Sequence, residues 1–412
     1  MSRLFINNKT LYKFALGLLI IFFVLFYFSD GLGKILYRSG SGFYRYSAIL
    51  KGFFEIFVLA YSLITLKKQK AYVFIAILLL VSCFLIGQFF LSLKFSDLNF
   101  AENFNSLFKY LFPFIIYLLA IDVLIYNKYS VKLFKYYKLI IIINGILIGI
   151  GLLLEIDYLK TYTGVYRFGY NGLIFAQNEA SFIFIFALAT IYYRRFYLNI
   201  KEYFFWIVLI SSLFVATKAV YLFIALLLVF HLFKRVSLKN IIAFGIFIAA
   251  GGYFLFSNII NSIIMNSWNV FLYYYRRDGL ISASLNGRDT FLREKLEPLI
   301  FDYWSLPNIF FGGQDVVSHY IEMGLIDLFL FFGAFGFVLY FYFYYKLFNL
   351  LSFNKYFKIY FGLSLLFIIA TAGHFFESGI VGLHFIIIIL ISKKHNEINK
   401  AKSFKNKDET VN

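Results

Sequence analysis

Long apolar runs recur along this chain, and they restrict its possible folds more than any other feature of its 412 residues. A helix rises about 1.5 Å per residue, so about 20 apolar residues cross a bilayer's hydrocarbon core while satisfying their own backbone hydrogen bonds. The pattern predicts an all-α, polytopic integral membrane protein. About twelve transmembrane helices are expected, centred on residues 14–28, 46–66, 71–93, 108–126, 139–154, 179–193, 203–217, 219–233, 241–256, 320–345, 356–372 and 380–392.

Residues 257–319 form the one long segment that breaks this pattern. We predict two amphipathic helices within it, the second with Leu292, Leu296, Leu299, Ile300 and Tyr303 on one face and with Asp289 or Thr290 as its cap. Irregular backbone between spans is tolerated where protein or water satisfies its hydrogen-bonding groups, so this segment is expected to form a functional site. The predicted organisation is a bundle of about nine spans (1–256), a large external loop (257–319), a bundle of about three spans (320–392) and a cytoplasmic tail (393–412).

The net charge of +18 reflects basic residues that lie between the spans, which favours a membrane topology over a nucleic-acid partner. Positively charged connections remain in the cytoplasm. This rule places both termini in the cytoplasm and residues 257–319 outside. The basic residues concentrate in alternate connections: Lys67, Lys68 and Lys70; Lys128, Lys132, Lys135 and Lys138; Arg194, Arg195 and Lys201; Lys234, Arg235 and Lys239; Lys346, Lys355 and Lys358.

Arginine is distributed in the opposite way to lysine. The planar guanidinium binds phosphate through paired donors, so arginine kept outside against the charge bias indicates an anionic ligand. Anchoring at lipid headgroups is the alternative interpretation. The arginines on the predicted external side are Arg38, Arg45, Arg167, Arg276, Arg277, Arg288 and Arg293.

Two shorter connections place further polar groups at the predicted outer surface. Residues 155–178 are rich in turn-forming residues and carry Arg167. Asn178 and Glu179 follow as the expected N-cap and first-turn acid of the sixth span. Lys218 lies in the tight hairpin between the seventh and eighth spans, where it either snorkels to the interface or contacts a phosphate.

Titratable groups also gather at the outer end of the tenth predicted span. His319 and Glu322 are three residues apart, which predicts that they share a helical face. Ionisable groups in spans are functional candidates, although a structural hydrogen-bonded pair is the alternative. Arg288 precedes the second amphipathic helix, whose N-terminus favours anions.

The sequence contains no motif that calls for a cofactor or a metal. Cys83 is the only cysteine, and histidine and carboxylate spacings do not form a metal site. No Walker or dinucleotide-binding motif is present. We therefore expect neither a metal nor a cofactor.

Four short stretches resemble the O-antigen polymerase and O-antigen ligase superfamily, which includes capsule and other surface-polysaccharide polymerases. In chain order they read RFGYNGLIFAQNEAS, TKAVYL, LNGRDTFL and FGGQDVVSHYIEMGLIDLFLFFGAFG. Their order and their placement around one late external loop carry the resemblance. Lys218 stands where relatives often have arginine.

The resemblance implies a metal-independent glycosyltransferase of the bacterial cytoplasmic membrane. It would transfer a growing glycan from undecaprenyl pyrophosphate to the next lipid-linked repeat unit at the outer face. A chain-length regulator and a flippase are expected partners, together with membrane lipid and without nucleic acid.

This reaction gives the candidate residues their roles. Cations stabilise the leaving pyrophosphate and a base takes the proton of the acceptor hydroxyl. We predict His319, Arg288 and Glu322 as catalytic residues, with His319 as base or phosphate donor. The predicted substrate-binding residues are Arg167, Lys218, Asn178, Glu179, Arg276 and Arg277.

Two other functions remain open at this point. A ligase of the same superfamily uses the same donor with a different acceptor, such as a lipid A core or a protein. A lipid-linked oligosaccharide transporter would instead line a path with ionisable residues deep in several spans. The spans look largely free of charge in the sequence, which favours the enzyme.

Overall fold

The computed structural model describes residues 8–43, 45–125, 131–162, 168–235, 265, 268–283, 285, 287–371 and 373–393. The protein is about 81% helical, so the predicted all-α class is confirmed. Within these ranges there is no β-strand, only an isolated antiparallel bridge between Lys160 and Tyr170. The predicted ninth span, 241–256, and the tail after residue 393 lie outside the described residues.

The helices follow the apolar runs of the sequence. In chain order they are α1 (Asn8–Arg38), α2 (Tyr46–Ile64), α3 (Lys68–Ser92), α4 (Phe100–Ile125), α5 (Val131–Leu154), α6 (Gln177–Phe196), α7 (Phe204–Val215), α8 (Lys218–Arg235), α9 (268–283), α10 (288–303), α11 (Leu306–Phe311), α12 (Gly324–Asn349), α13 (Lys355–Thr371) and α14 (Gly379–Lys393). Within α10, Arg288–Phe291 is followed by two π-helical turns, Leu292–Leu296 and Leu299–Tyr303.

Six helices of the described chain, α1 to α5 and α12, are long and apolar enough to cross a membrane. They identify a membrane protein, as the hydropathy pattern predicts. The apolar helices α7, α8 and α14 are shorter, and α7 has only 12 residues. Within the described residues six helices therefore meet the length and hydropathy needed for a span, so the predicted count of twelve is not confirmed.

The bundle is built around helices that are buried on every side. α1 and α2 pack against α4, α3 packs between α4 and α12, and α6 packs against α7 and α8. α4 and α6 have buried residues all around their circumference, as expected for helices that do not face lipid or water. At one end of the bundle Arg38 of α1 donates to the backbone oxygens of Asp157 and Lys160, and Asp315 accepts from the backbone N–H of Asn99, just before α4. This end collects residues 39–43, 155–162, 168–176 and 287–323. We call it the loop end.

Hydrogen bonds from buried side chains hold residues 312–323 in the bundle at the loop end. The Gln88 amide donates to the backbone oxygen of Gln314 at 2.9 Å, and Asn103 donates to Gln88 at 3.0 Å. The Asp327 carboxylate accepts from the Gln314 amide at 3.2 Å and from the backbone N–H of Met323 at 2.8 Å. Because buried polar groups are costly when unpaired, this network holds residues 312–323 in one conformation.

Residues 168–176, which lead into α6, are held in a similar way. The buried Lys34 ammonium donates to the Asn171 side chain and to the Gly172 oxygen, the latter at 2.6 Å. Asn144 donates to the backbone oxygen of Asn171 at 3.2 Å. Asp30 accepts from the backbone N–H of Phe175 at 2.9 Å. These bonds place the start of α6 beside the C-terminal half of α1.

The apolar face predicted for the second amphipathic helix is confirmed. Its residues pack over the bundle with Leu91 of α3 and Leu330 of α12. The predicted cap is wrong, because the helix begins at Arg288 after Gly287, whose φ of 78° is accessible to glycine at little cost. The residues of the packed face are Leu292, Leu296, Leu299, Ile300 and Tyr303.

Gly87 of α3 approaches the backbone around Gly312 so closely that no side chain fits. A Cβ at Gly87 would lie 2.6 Å from the Phe311 oxygen and 2.7 Å from the Gly312 carbonyl carbon. We expect Gly87→Ala to lower the free energy of unfolding by about 1–3 kcal/mol, as overpacking does. Gly149 of α5 has nothing within 4 Å of its ideal Cβ, so Gly149→Ala is the matched control.

Thermal unfolding in detergent measures both variants. The control should be as stable as the unsubstituted protein or slightly more stable, since alanine favours a helix over glycine by roughly 0.5–1 kcal/mol. Equal unfolding temperatures for the two variants would contradict the close approach of α3 to the Gly312 turn.

Candidate active site

A cavity of about 500 Å³ opens at the loop end of the bundle. Its walls are the C-terminal half of α1, the first turns of α2, α4, α6 and α14, and residues 316–320 and 374–377. A concave site with converging polar groups inside a membrane bundle is the first place to expect ligand binding. The ionisable residues that line it are Asp30, Lys51, Glu102, Lys109, Glu179, Tyr320, His374 and Glu377.

Two lysines contribute positive charge from different helices. Lys51 of α2 is buried, with its ammonium 4.0 Å from Glu55 and 5.6 Å from the centre of the Phe112 ring. Lys109 of α4 has no carboxylate within 4.0 Å among the residues described. The predicted pairing of Lys51 with Glu55 is thus confirmed, but Lys51 also lines the cavity.

A histidine, a glutamate and a tyrosine form the most closely connected group of the cavity wall. Nδ1 of His374 lies 2.6 Å from Oε1 of Glu377. The Tyr320 hydroxyl donates to the same carboxylate oxygen and lies 3.3 Å from Nδ1 of His374. Since Nδ1 faces the carboxylate, it is assigned the proton in the neutral ring, and Nε2 is left as the acceptor.

The surroundings of this group shift its proton affinities. Burial by itself would lower the pKa of His374, but the carboxylates of Glu377, Glu179 and Glu322, with Glu377 the strongest of the three, together raise that pKa above its ordinary value. Burial would raise the pKa of Glu377, yet His374 and the Tyr320 hydroxyl hold it below its ordinary value. Both shifts favour the charged His374–Glu377 pair more than the ordinary pKa values of the two side chains would.

Two more carboxylates line the cavity. Glu179 accepts a hydrogen bond of 2.6 Å from the Ser378 hydroxyl, next to Glu377 in the chain. Asp30 is held by the backbone of Phe175, as described above. Both carboxylates can accept further hydrogen bonds from hydroxyl groups of a bound ligand.

Of the predicted site residues, Glu179 lines the cavity and two others meet at its edge. The guanidinium of Arg288 lies 3.5 Å from the Glu322 carboxylate and also donates to the Thr371 oxygen. The backbone of Glu322 packs against Gly373, where a Cβ would lie 2.9 Å from the Glu322 oxygen. Arg288 and Glu322 are therefore brought together, next to His374.

His319 lies outside the cavity in a different environment. It is buried, with its ring edge against Phe95 at 5.2 Å and Tyr303 at 6.0 Å between ring centres. Burial lowers its pKa, partly opposed by Asp315. The prediction that His319 and Glu322 share a helical face is wrong, because α12 begins only at Gly324.

The other predicted residues that the structure describes are not among those that line the cavity. Lys218 begins α8 and donates to the oxygen of Ala283 at 2.9 Å. Asn178 is the second residue of α6, whose cap is Ala176, so the predicted N-cap is off by two positions. Arg276 and Arg277 are exposed on α9. Arg167 lies outside the described residues.

The sequence interpretation missed His374, Glu377, Tyr320 and Lys109. A signal was present, since His374 and Glu377 have the same spacing of three as His319 and Glu322 and also stand before an apolar run. The expectation that the spans are largely free of charge is wrong. Buried charged residues in the helices include Asp30, Lys34, Lys51, Glu55, Lys70 and Asp122.

Comparisons of the chain with protein-family models, curated proteins and solved structures find no match. Across the part of the chain that the structure describes, no three histidine, cysteine or acidic side chains are grouped to hold a metal ion. The chemistry of the cavity is therefore the basis for assigning a function.

Proposed function

We propose that this protein polymerises lipid-linked oligosaccharide repeat units, with the cavity at the loop end as its active site. The observation that carries the proposal is one cavity that combines two lysine ammonium groups with a histidine oriented by a carboxylate. Glycosyl transfer from a lipid pyrophosphate needs both a stabilised anionic leaving group and a base for the acceptor.

The two lysines are suited to the leaving group. Negative charge grows on the pyrophosphate as its bond to the sugar breaks, so Lys51 and Lys109 stabilise the transition state more than the bound substrate. Their helices α2 and α4 pack against each other, which fixes the two ammonium groups on rigid elements.

His374 is suited to the acceptor. The carboxylate of Glu377 holds Nδ1, so the lone pair on Nε2 is available to a hydroxyl in the cavity. This arrangement of an oriented base moves the proposed base from His319, which the sequence favours, to His374.

The proposed step balances within the cavity. The acceptor hydroxyl oxygen forms a bond to C1 of the donor sugar while the bond between C1 and the pyrophosphate oxygen breaks. The electron pair of the broken bond leaves with pyrophosphate, and the hydroxyl proton passes to Nε2 of His374. His374 returns that proton to water after the products leave.

The proposal includes the finer topology that the charge pattern predicts. About twelve spans with both termini in the cytoplasm would place the loop end, and with it the cavity, at the outer face of a bacterial cytoplasmic membrane. Undecaprenyl-pyrophosphate-linked glycans are available at that face, and a flippase and a chain-length regulator would be functional partners.

The test is a reaction of the purified protein with the lipid-linked repeat unit of its own cell, resolved on a gel. A ladder of extended products supports polymerisation. A single product that appears only when another acceptor is supplied would indicate a ligase. No product from folded protein and intact substrate contradicts glycosyl transfer.

A second function is favoured by one observation, the ionisable residues that α1, α2, α4 and α6 contribute to the cavity. Such residues inside spans are typical of transporters. A lipid-linked oligosaccharide transporter would expose the glycan to a lectin across a liposome membrane without extending it. Transfer across the membrane with no ladder would favour this function.

The rate of chain extension should rise with pH through the pKa of His374, because only the neutral imidazole accepts a proton. Glu377 raises that pKa above about 6.5, so the midpoint should lie above this value. Glu377→Gln removes the strongest of the charges that raise the pKa of His374, so the midpoint should move to lower pH and the maximal rate should fall. Rates between pH 5 and 9 check this, and a midpoint that stays in place would contradict the role of the pair.

A further inference from the structure

Residues 287–323 contact Thr371, Gly373 and Glu377, which flank His374 on both sides. Before His374, Arg288 donates to the Thr371 oxygen and the Glu322 backbone packs against Gly373. After it, the Tyr320 hydroxyl donates to Glu377.

The backbone at His374 requires such support. Its φ of 70° lies in the left-handed region, which costs a residue other than glycine of order 1–3 kcal/mol and persists only where the surroundings impose it. At Gly373 a Cβ would lie 2.9 Å from the Glu322 oxygen, so the two segments are in contact through their backbones.

We propose that Tyr320 and Arg288 are positioning residues that hold His374 with Nε2 toward the cavity. Tyr320 acts through Glu377, because its hydroxyl fixes the carboxylate oxygen that lies 2.6 Å from Nδ1. Arg288 acts through Thr371 and Glu322, because its guanidinium binds one group from each of the two segments. The inference rests on the proposed function for its consequence, since a fixed Nε2 matters to an acceptor hydroxyl.

The charged groups around His374 come from several elements. Glu377 and Tyr320 are in direct contact, while Glu179 of α6 and Glu322 act on it through space. Lys109 of α4 acts through space on Glu377. Among these groups only Tyr320 and Glu377 touch Nδ1, so they decide which ring nitrogen carries the proton.

Nitrogen NMR of histidine tests this directly, since the chain has only five histidines. The full-length protein labelled with ¹⁵N-histidine is studied in nanodiscs above the pKa of His374, and a His374→Gln spectrum assigns the signal. We expect Nδ1 to be protonated. In Tyr320→Phe the carboxylate is free to turn, so the signal should move toward the Nε2–H form that free imidazole favours.

Arg288→Gln tests the second contact. Hydrogen exchange of the backbone amides of residues 373–378 should become at least tenfold faster, because the hydrogen bond from Arg288 to the Thr371 oxygen is lost. Tyr303→Phe is the matched control, since this hydroxyl lies on the same segment but its ring contacts Phe95 and His319. The control should change neither the His374 signal nor the exchange.

Activity adds a readout that a purely structural role would not move. Tyr320→Phe should lower kcat by roughly 10- to 100-fold through misplacement of the base, with KM unchanged. A His374 signal and exchange rates equal to those of the unsubstituted protein in both variants would overturn the inference. If these NMR and exchange changes occur while the unsubstituted protein makes no ladder, the positioning contacts stand and the proposed function fails.

Discussion

His374→Gln is expected to lower the rate of chain extension by about 10²- to 10⁴-fold, the usual contribution of a positioned general base. Glutamine is close in size to histidine, but its amide does not take up a proton at neutral pH. The loss should appear in kcat, because the base acts as the acceptor bond forms. The measurement is the initial rate of ladder formation with the purified lipid-linked repeat unit.

Two other histidine substitutions make this result specific. His231 bonds to Tyr192 at 2.7 Å and lies outside the cavity, so His231→Gln should retain the rate. His319→Gln compares the base that the sequence favours with the base in the cavity. If His319→Gln abolishes extension and His374→Gln does not, the active site lies elsewhere than the cavity.

Lys109→Met is expected to lower kcat by about 10²- to 10³-fold, as the loss of a group that stabilises developing charge does. Lys109 is the cavity cation without a carboxylate within 4.0 Å among the described residues, so its charge is the more available to a pyrophosphate. Methionine keeps the length of the side chain and removes the charge.

A matched substitution at the same end of the bundle controls for the loss of one positive charge outside the cavity. Lys160 pairs with Asp157 at 2.5 Å and is partly exposed outside the cavity, so Lys160→Met should leave the rate within about twofold, because screened surface charges contribute little. Lys109→Arg should recover part of the activity, because it restores the charge with a different shape. Equal rates for Lys109→Met and the unsubstituted protein would place the leaving group away from α4.

Much of the fold follows from local features of the sequence. The apolar runs predict where the helices lie, although α1, α4 and α5 extend six to ten residues beyond the predicted spans. The spacing of Leu292, Leu296 and Leu299 predicts the packed face of α10. Both signals are local, because helix formation and amphipathicity depend on residues within a few turns of one another. Helix length was less predictable, since a helix such as α7, with only 12 residues, is stabilised by packing against α5, α6 and α8.

The site was harder to predict because two histidines have the same local signature. His319 and His374 each precede a glutamate by three residues and an apolar run by a few more. Nothing nearby in the sequence says that one ring is buried against Phe95 and that the other lines a cavity. The family resemblance favoured His319, and the arrangement of the helices favours His374.

The sequence by itself determined that this is an all-helical membrane protein, because the cost of moving a residue from water into lipid depends mainly on that residue. It also determined the face by which α10 packs on the bundle. Only the tertiary structure decided which charged groups face each other. The cavity is formed where α1, α2, α4, α6 and α14 meet, and residues such as Lys51 and His374 are far apart in the chain. Their proximity results from helix packing and from the buried hydrogen bonds that fix residues 312–323. These contacts join residues that are far apart in the sequence at irregular separations, so no periodic pattern in the sequence predicts them.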